Sequence, residues 1–408
     1  MPILSIFKST VFLLVLIFSS CKGQEKSNNS PIENQKIDSV AHIVVAANRT
    51  SQYLPSLKDK RVGIVANQTS VIFKDNGHTH LVDSLLSLGI KVKQVFAPEH
   101  GFRGRADAGE HVKDGLDAQT GLPIISLYGK NRKPSAEQLS ELDIVVFDIQ
   151  DVGVRFYTYI ATLQLVMEAC AENGTPVVVL DRPNPNGHYV DGPTMKKENT
   201  GFLGMTEIPL VYGMTIGEYA NMINDERWLE EGKKVDLTVV QLENYMHNKS
   251  YHLPIRPSPN LPNDVSITLY PSLGLFEGTN VNAGRGTEFQ FQRYGASFLD
   301  STKYDFSYIP EPNFGSKHPK EDGKKCYGKD LADTKRMDSV SLQWLLDAYN
   351  SSVDKSKFFR TNSFTKHSGT SELQKQIESG LTEQEIKTSW QKELQSFKRI
   401  REKYLIYN

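Results

Sequence analysis

Residues 143–148 read DIVVFD, four apolar residues in a row bounded by aspartates. So short an unbroken apolar run is the pattern of a strand buried on both faces, which needs helices to cover it above and below. The pattern recurs on either side. Residues 61–66 (RVGIVA), 92–97 (VKQVFA), 123–127 (PIISL) and 176–180 (PVVVL) predict further strands. Helical spacing fills the gaps. Leu81, Val82, Leu85 and Leu88 predict a helix over 78–88, stopped by Gly89. Ser135 with Gln138 forms a capping box for a short helix. Ile160, Leu163, Met167 and Cys170 predict a helix over 158–172, closed by Gly174. This alternation predicts the α/β class, with a Rossmann-like, mostly parallel sheet over 51–204. No GxGxxG follows the first strand and no GK[ST] loop occurs, so no nucleotide cofactor is expected.

Beyond 205 the pattern changes. Thr215 and Glu218 cap a helix reaching about 229, and 237–242 reads as a strand. Residues 251–286 are rich in Pro, Gly and Asn and read as irregular. Helices are predicted over 338–350, 372–379 and 383–403, the last capped by Thr382 and Glu385. The expectation is a smaller α+β domain over 205–408 that completes a cleft.

The N-terminus carries an address. Lys8 precedes an apolar run over 11–18, followed by Ser19, Ser20 and Cys21. That is a signal-peptide pattern, too short for a span of roughly 20 residues. A cysteine after two small residues resembles a lipobox, so 1–21 reads as a lipoprotein signal with Cys21 the acylated residue. The polar stretch 22–50 reads as tether and approach to the domain. The expected location is the periplasmic side of a Gram-negative envelope or its outer membrane, held by lipid alone. A formal net charge of -1 gives no sign of nucleic-acid binding. Cys170 and Cys326 then remain, which excludes a disulfide framework and leaves room for one bridge. His78, His80, His100 and His111 match no metal-ligand spacing, and no metal is expected.

Four polar clusters remain, three of them directly after predicted strands. They are 98–104 (PEHGFRG), 148–153 (DIQDVG, with Arg155, Tyr157 and Tyr159 beyond), and 181–187 (DRPNPNG). The fourth runs from 256–262 (RPSPNLP) through 277–280 (EGTN) to 284–287 (GRGT). Ligands of open α/β sheets bind outside the carboxyl ends of the strands, where separate loops converge. Glycosidic cleavage needs an acid for the leaving oxygen and usually a second carboxylate. Glu99, at the end of an apolar strand, is the best acid candidate; the bland reading is a turn cap or an arginine partner. Asp148 and Asp151 are the second-carboxylate candidates, with roles in holding loop backbone or orienting Arg155 as the alternative. Tyr157 suits a sugar-stacking wall and Phe156 reads as core.

Together these clusters are recognisable. APEHGFRG at 97–104, FDIQDVGVRFYTY at 147–159, DRPNPNG at 181–187 and IPLVYGMTIGEYA at 208–220 resemble the YbbC-like family of exo-β-N-acetylmuramidases. So do PSPNLPN at 257–263, YPSLGLFEGTN at 270–280, GRGTEF at 284–289 and the closing segment from Trp390. The resemblance covers the chain from about 55 onward. It implies a Rossmann-like domain, a smaller C-terminal domain, a site between them, and release of N-acetylmuramic acid (MurNAc) from non-reducing ends of peptidoglycan fragments. It puts the catalytic acid on Glu99, with Asp148 or Asp151 as partner. His100, Arg103, Tyr157, Arg182, Asn184, Arg256, Asn260, Glu277, Asn280 and Arg285 are the expected substrate-binding residues. Arg285 and Arg103 are the first candidates for a clamp on the lactyl carboxylate, then Arg182 and Arg256. His188, where the family pattern leads us to expect glycine, and 281–283 depart from it. Two other classes stay open: a noncatalytic lipid-anchored glycan-binding protein, and a hydrolase of another kind, for which no GxSxG elbow is present.

Overall fold

A computed structural model describes residues 42–104 and 114–407. The signal peptide, Cys21 and most of the expected tether lie outside the described residues, as does His111. The described chain is one compact unit from His42 onward. It runs through α1 (Thr50–Leu57), β1 (Arg61–Ala66), β2 (Val71–Lys74), β3 (Gly77–His80), α2 (Leu81–Ser87), β4 (Lys91–Ala97) and β5 (Gly115–Leu116). Next come β6 (Pro123–Ser126), α3 (Ala136–Leu139), β7 (Ile144–Asp148), α4 (Tyr159–Asn173), β8 (Val177–Leu180), α5 (Ile216–Asp225) and β9 (Leu237–Val240).

Seven of these strands make one sheet in the order β5-β6-β4-β1-β7-β8-β9, parallel except for the β5–β6 pair. Successive side chains of a strand point to opposite faces, and here both faces are dry. Val65, Phe96, Val145, Phe147, Val177 and Val179 pack on one side, with the apolar residues of α4 and α5. Val62, Ile64, Val95, Ile144, Val146 and Val178 pack on the other, with Tyr53 and Leu57 of α1 and Leu81, Val82 and Leu85 of α2. The continuous apolar runs are thereby explained.

The remainder holds α6 (Asp264–Leu273), β10 (Arg293–Ala296), β11 (Phe306–Tyr308), β12 (Cys326–Asp330), α7 (Gln343–Ser351), α8 (Thr361–Ser368), α9 (Glu372–Glu378), α10 (Glu383–Ser389) and α11 (Gln391–Arg401). The last three strands form a small antiparallel sheet in the order β10-β12-β11. The fold is α/β with a smaller α+β region, as its sequence pattern implies. The main sheet takes its last strand, β9, from beyond residue 204, pairing Val177 with Leu237.

Several elements differ from their sequence patterns. The helix expected over 78–88 begins only at Leu81, because 77–80 form the second strand of a hairpin across a turn at Asp75-Asn76. His80 is therefore the helix cap, its Nδ1 accepting from the Val82 amide at 3.2 Å, and is not on an exposed first turn. The helix expected to reach 229 stops at Asp225, with Arg227 in the left-handed region at φ 58°. The irregular stretch 251–286 contains α6, whose Asn263 accepts from the Ser266 amide as a cap. The helix expected over 338–350 starts at Gln343, and that over 383–403 breaks at Trp390. Capping boxes at Ser135–Gln138, Thr215–Glu218 and Thr382–Glu385 are all present. Cys170 and Cys326 are both buried free thiols, so they form no bridge.

Candidate active site

From β1 the sheet grows in two directions, through β4 and β6 on one side and β7, β8 and β9 on the other. Such a reversal opens a crevice at the carboxyl ends of the neighbouring strands. The loops leaving those ends are cross-tied. Thr69, after β1, accepts from the Gln150 amide at 3.0 Å, and Ser70 donates to the Asp148 carbonyl. The Gln150 side chain reaches the Pro183 carbonyl at 2.6 Å, which joins the loop after β7 to that after β8.

These ties occupy several residues expected to touch substrate. Asp148 is fully buried and takes two bonds from Arg182, at 2.6 and 2.8 Å. Asp151 accepts from the Gly153 amide at 2.6 Å and from the Tyr212 hydroxyl. Burial pushes the Asp151 carboxyl up to about 7, against those bonds. Gly153 sits at φ +76°, and a Cβ there would lie 2.3 Å from Asn184 Oδ1, so the tight turn requires glycine. Asn184 itself donates to the Met214 carbonyl at 2.8 Å. Arg103 pairs with Asp117 at 2.8 Å and Asp83 at 3.3 Å. Asn280 is exposed and bonds the Lys357 carbonyl at 2.6 Å, and Arg256 is exposed. None of these seven side chains lines the cavity described next.

That cavity measures about 670 Å³, within the range for one small ligand. Glu99, His100, Tyr157, Asn260, Glu277 and Arg285 all line it. Glu99 follows β4, and its Oε2 accepts from the Thr158 hydroxyl at 2.8 Å. The Tyr128 hydroxyl also bonds the Glu99 carboxylate; burial and that charge push the phenol above its usual range. His100 holds a left-handed backbone at φ 70° and contacts the Ser258 hydroxyl through Nε2 at 3.1 Å. A non-glycine residue in that region is a strained position of the kind that gathers at ligand sites. Tyr157 donates to the Pro257 carbonyl at 2.7 Å, so it anchors the loop that carries Ser258 and Asn260.

Glu277 is a second carboxylate of the lining. Arg285 binds its Oε2 at 3.0 Å. Burial alone would raise the Glu277 carboxyl, but Arg285, Lys320 and His367 hold it down at about 2. It is ionised at any ordinary pH. The Arg285 Nε is buried without an acceptor among the described residues. Tyr270 lies within the field of both carboxylates: burial, then Glu277 and Glu99, push its phenol up.

Thr158, Ser258 and Tyr270 also line the cavity and fall within the quoted motifs without having been singled out, whereas Tyr128, Arg132, Asn199, Thr200, Lys366 and His367 lie outside them. Tyr128 follows β6, and strand-end position was the available signal for it. Arg132, whose guanidinium sits 4.2 Å over the Phe202 ring, belongs to no motif. Arg155 does its work underneath. It is fully buried and donates to the carbonyls of Pro193, Ile208, His367 and Ser368 at 2.7–3.0 Å. One guanidinium thus fixes the 193–208 segment to the end of α8, where His367 enters the cavity. His188, at the departure from the family pattern, bonds the Met337 carbonyl at 2.7 Å and stays outside the lining. Among the described residues no group of three or more His, Cys, Asp or Glu is placed to hold a metal ion.

Fold and site define a Rossmann-like α/β protein with a carboxylate-bearing, aromatic-walled cleft for one small polar ligand. The chain belongs to the NamZ exo-β-N-acetylmuramidase family: residues 62–265 match the N-terminal family model and 268–407 the C-terminal one. It is 39% identical over 380 residues to the peptidoglycan β-N-acetylmuramidase NamZ of Bacillus subtilis (strain 168), covering 87% of this chain and 89% of that one. Two crystal structures of DUF1343 family proteins from Bacteroides fragilis are similar to it. One has a TM-score of 0.82 at 42% identity, the other 0.74 at 28%, each covering 90% of this chain and 99% of the other.

Proposed function

We infer that the protein is an exo-acting glycoside hydrolase that releases MurNAc from the non-reducing ends of peptidoglycan fragments. The observation that carries this reading is Glu99, the strand-end carboxylate of a one-sugar cavity in a chain matched almost throughout by the family. Thr158 and Tyr128 hold Glu99 in the lining, where it protonates the leaving glycosidic oxygen. Asp148 and Asp151 are committed to loop structure, so the second carboxylate in this reading is Glu277. Held ionised beside the sugar, it stabilises the oxocarbenium-like charge and acts on water or on the anomeric carbon. Of the four arginines weighed for the lactyl carboxylate, only Arg285 lines the cavity, which supports that role.

The test is release of free MurNAc from a β-1,4-linked MurNAc–GlcNAc disaccharide by the chain from residue 22. Glu99→Gln loses about 10²–10⁴-fold in kcat while its Tm holds. Arg285→Ala weakens the MurNAc glycoside more than the GlcNAc one. Tight binding with no turnover in the wild type would instead favour a glycan-binding protein. NMR of the fresh product reports the anomer, and with it whether Glu277 acts on water or on the sugar.

The pattern over 1–21 supports a lipid anchor at Cys21 facing the periplasm. On this reading Cys21→Ser moves the protein from the membrane to the soluble fraction; unchanged partition refutes the anchor.

A further inference from the structure

The cavity lining holds both buried and exposed residues. His100, Tyr157, Ser258, Asn260 and Leu261 are buried, whereas Arg132, Thr200, Gly201 and Lys366 are exposed. An enzyme that takes a terminal sugar inward must let the rest of its chain leave across the open edge. Thr200 forms part of that edge and also part of a second, larger groove of about 1050 Å³. The groove runs between the 194–207 segment, Trp228 just past α5, and the 392–400 face of α11.

We propose that this groove is a subsite for the reducing-side remainder of the glycan, with Trp228 as its stacking platform. The proposal rests on the muramidase reading and goes beyond it, since the catalytic cavity needs only the terminal sugar. Trp228 is half-buried, packed on one side against the core and lining the groove with Met205, Phe397 and Ile400. An aromatic body with an apolar neighbourhood suits the C–H face of a pyranose. The charges lining the groove balance in number, Lys196, Lys197 and Lys392 against Glu207, Glu231 and Glu393, and Lys196 pairs with Glu393. A groove of no net charge around an aromatic platform favours the sugar faces of the glycan over the several charges of a stem peptide. Arg155 fixes the 193–208 wall to the cavity floor, which keeps the groove in register with the mouth.

The experiment compares kcat/KM for the disaccharide MurNAc–GlcNAc with that for the tetrasaccharide (MurNAc–GlcNAc)₂, both without peptide. The wild type favours the longer substrate. Trp228→Ala lowers the ratio of long to short about tenfold or less, as loss of one aromatic contact implies. Because Trp228 also packs on the core, Ser396→Trp is made in parallel. Ser396 is exposed on the α11 face, and the added ring obstructs the groove without removing core contacts. A ratio unmoved in both variants overturns the subsite while leaving the activity standing. With the peptide-bearing tetrasaccharide as a third substrate, a length preference seen only for it overturns the glycan assignment. A wild type that turns over neither substrate overturns the activity reading and the subsite with it.

Discussion

Asp151 shows how burial decides the work a side chain does. In sequence it is one of two aspartates in a polar loop after a strand, well placed to face a sugar. Folded, it is enclosed, receives the Gly153 amide and the Tyr212 hydroxyl, and has a carboxyl pushed by burial from 3.8 to about 7. The folded state then holds more protons than the unfolded chain between those values, so this contribution to stability is full below about pH 4. It is lost as pH rises through 7. Asp151→Asn removes that dependence. The Tm of the wild type minus that of Asp151→Asn should fall from pH 4 to pH 8, and a constant difference would count against the assignment. Glu277 is the opposite case. It stands in the cavity wall, where burial would raise it, but Arg285 and Lys320 keep it charged. Their neighbours separate these two carboxyls: Tyr212 beside Asp151, and Arg285 with Lys320 beside Glu277.

At the scale of elements, the end of β7 is clamped to the residue after β8 by Asp148 and Arg182, whose side chains are 0% and 2% exposed. Breaking a buried pair from one side leaves an uncompensated charge, at a cost of about 3–5 kcal/mol. Arg182→Met should therefore lower the urea midpoint sharply, and adding Asp148→Asn should recover part of the loss. Equal midpoints for the single and double variants would sink this account. The same scale shows what sequence patterns carry. Runs such as VVVL and VVFD are strands on any reading, because so much apolar surface in so short a run must be covered on both sides. The β2–β3 hairpin was legible in Asp75-Asn76-Gly77, a turn signal that outweighs the apolar spacing beyond it. Helix α6 was hidden by the prolines around it and by Pro271 within it, although Asn263 marks its cap. The strands of the small sheet are three to five residues long, too short for alternation to declare itself.

Over the whole molecule, the last residues return to the first sheet. The Glu218 carboxylate accepts from the Ile406 amide at 2.7 Å and the Tyr407 amide at 3.3 Å. The Tyr407 hydroxyl donates to Asp181, at the end of β8, at 2.7 Å and accepts from the Leu242 amide at 2.9 Å. Removing residues 405–408 strips donors from two buried carboxylates at once. We expect a Tm lower by several degrees, read by calorimetry, at about 1–3 kcal/mol for each buried group left unsatisfied; an unchanged Tm would show the tail to be dispensable. The sequence by itself determined the fold class, the strand ends from which the site is built, the general-acid candidate and the family. It could do so because strand burial, helix caps and contiguous motifs are written over neighbouring residues. Only the tertiary structure decided which polar residues share a cavity: Glu99 with Glu277 and Arg285, and not with Asp148, Asp151, Arg103 or Arg182. Whether a charged side chain faces a ligand or a buried partner depends on groups on other elements, such as Arg182 for Asp148 and Tyr212 for Asp151, brought near by the sheet and its helices.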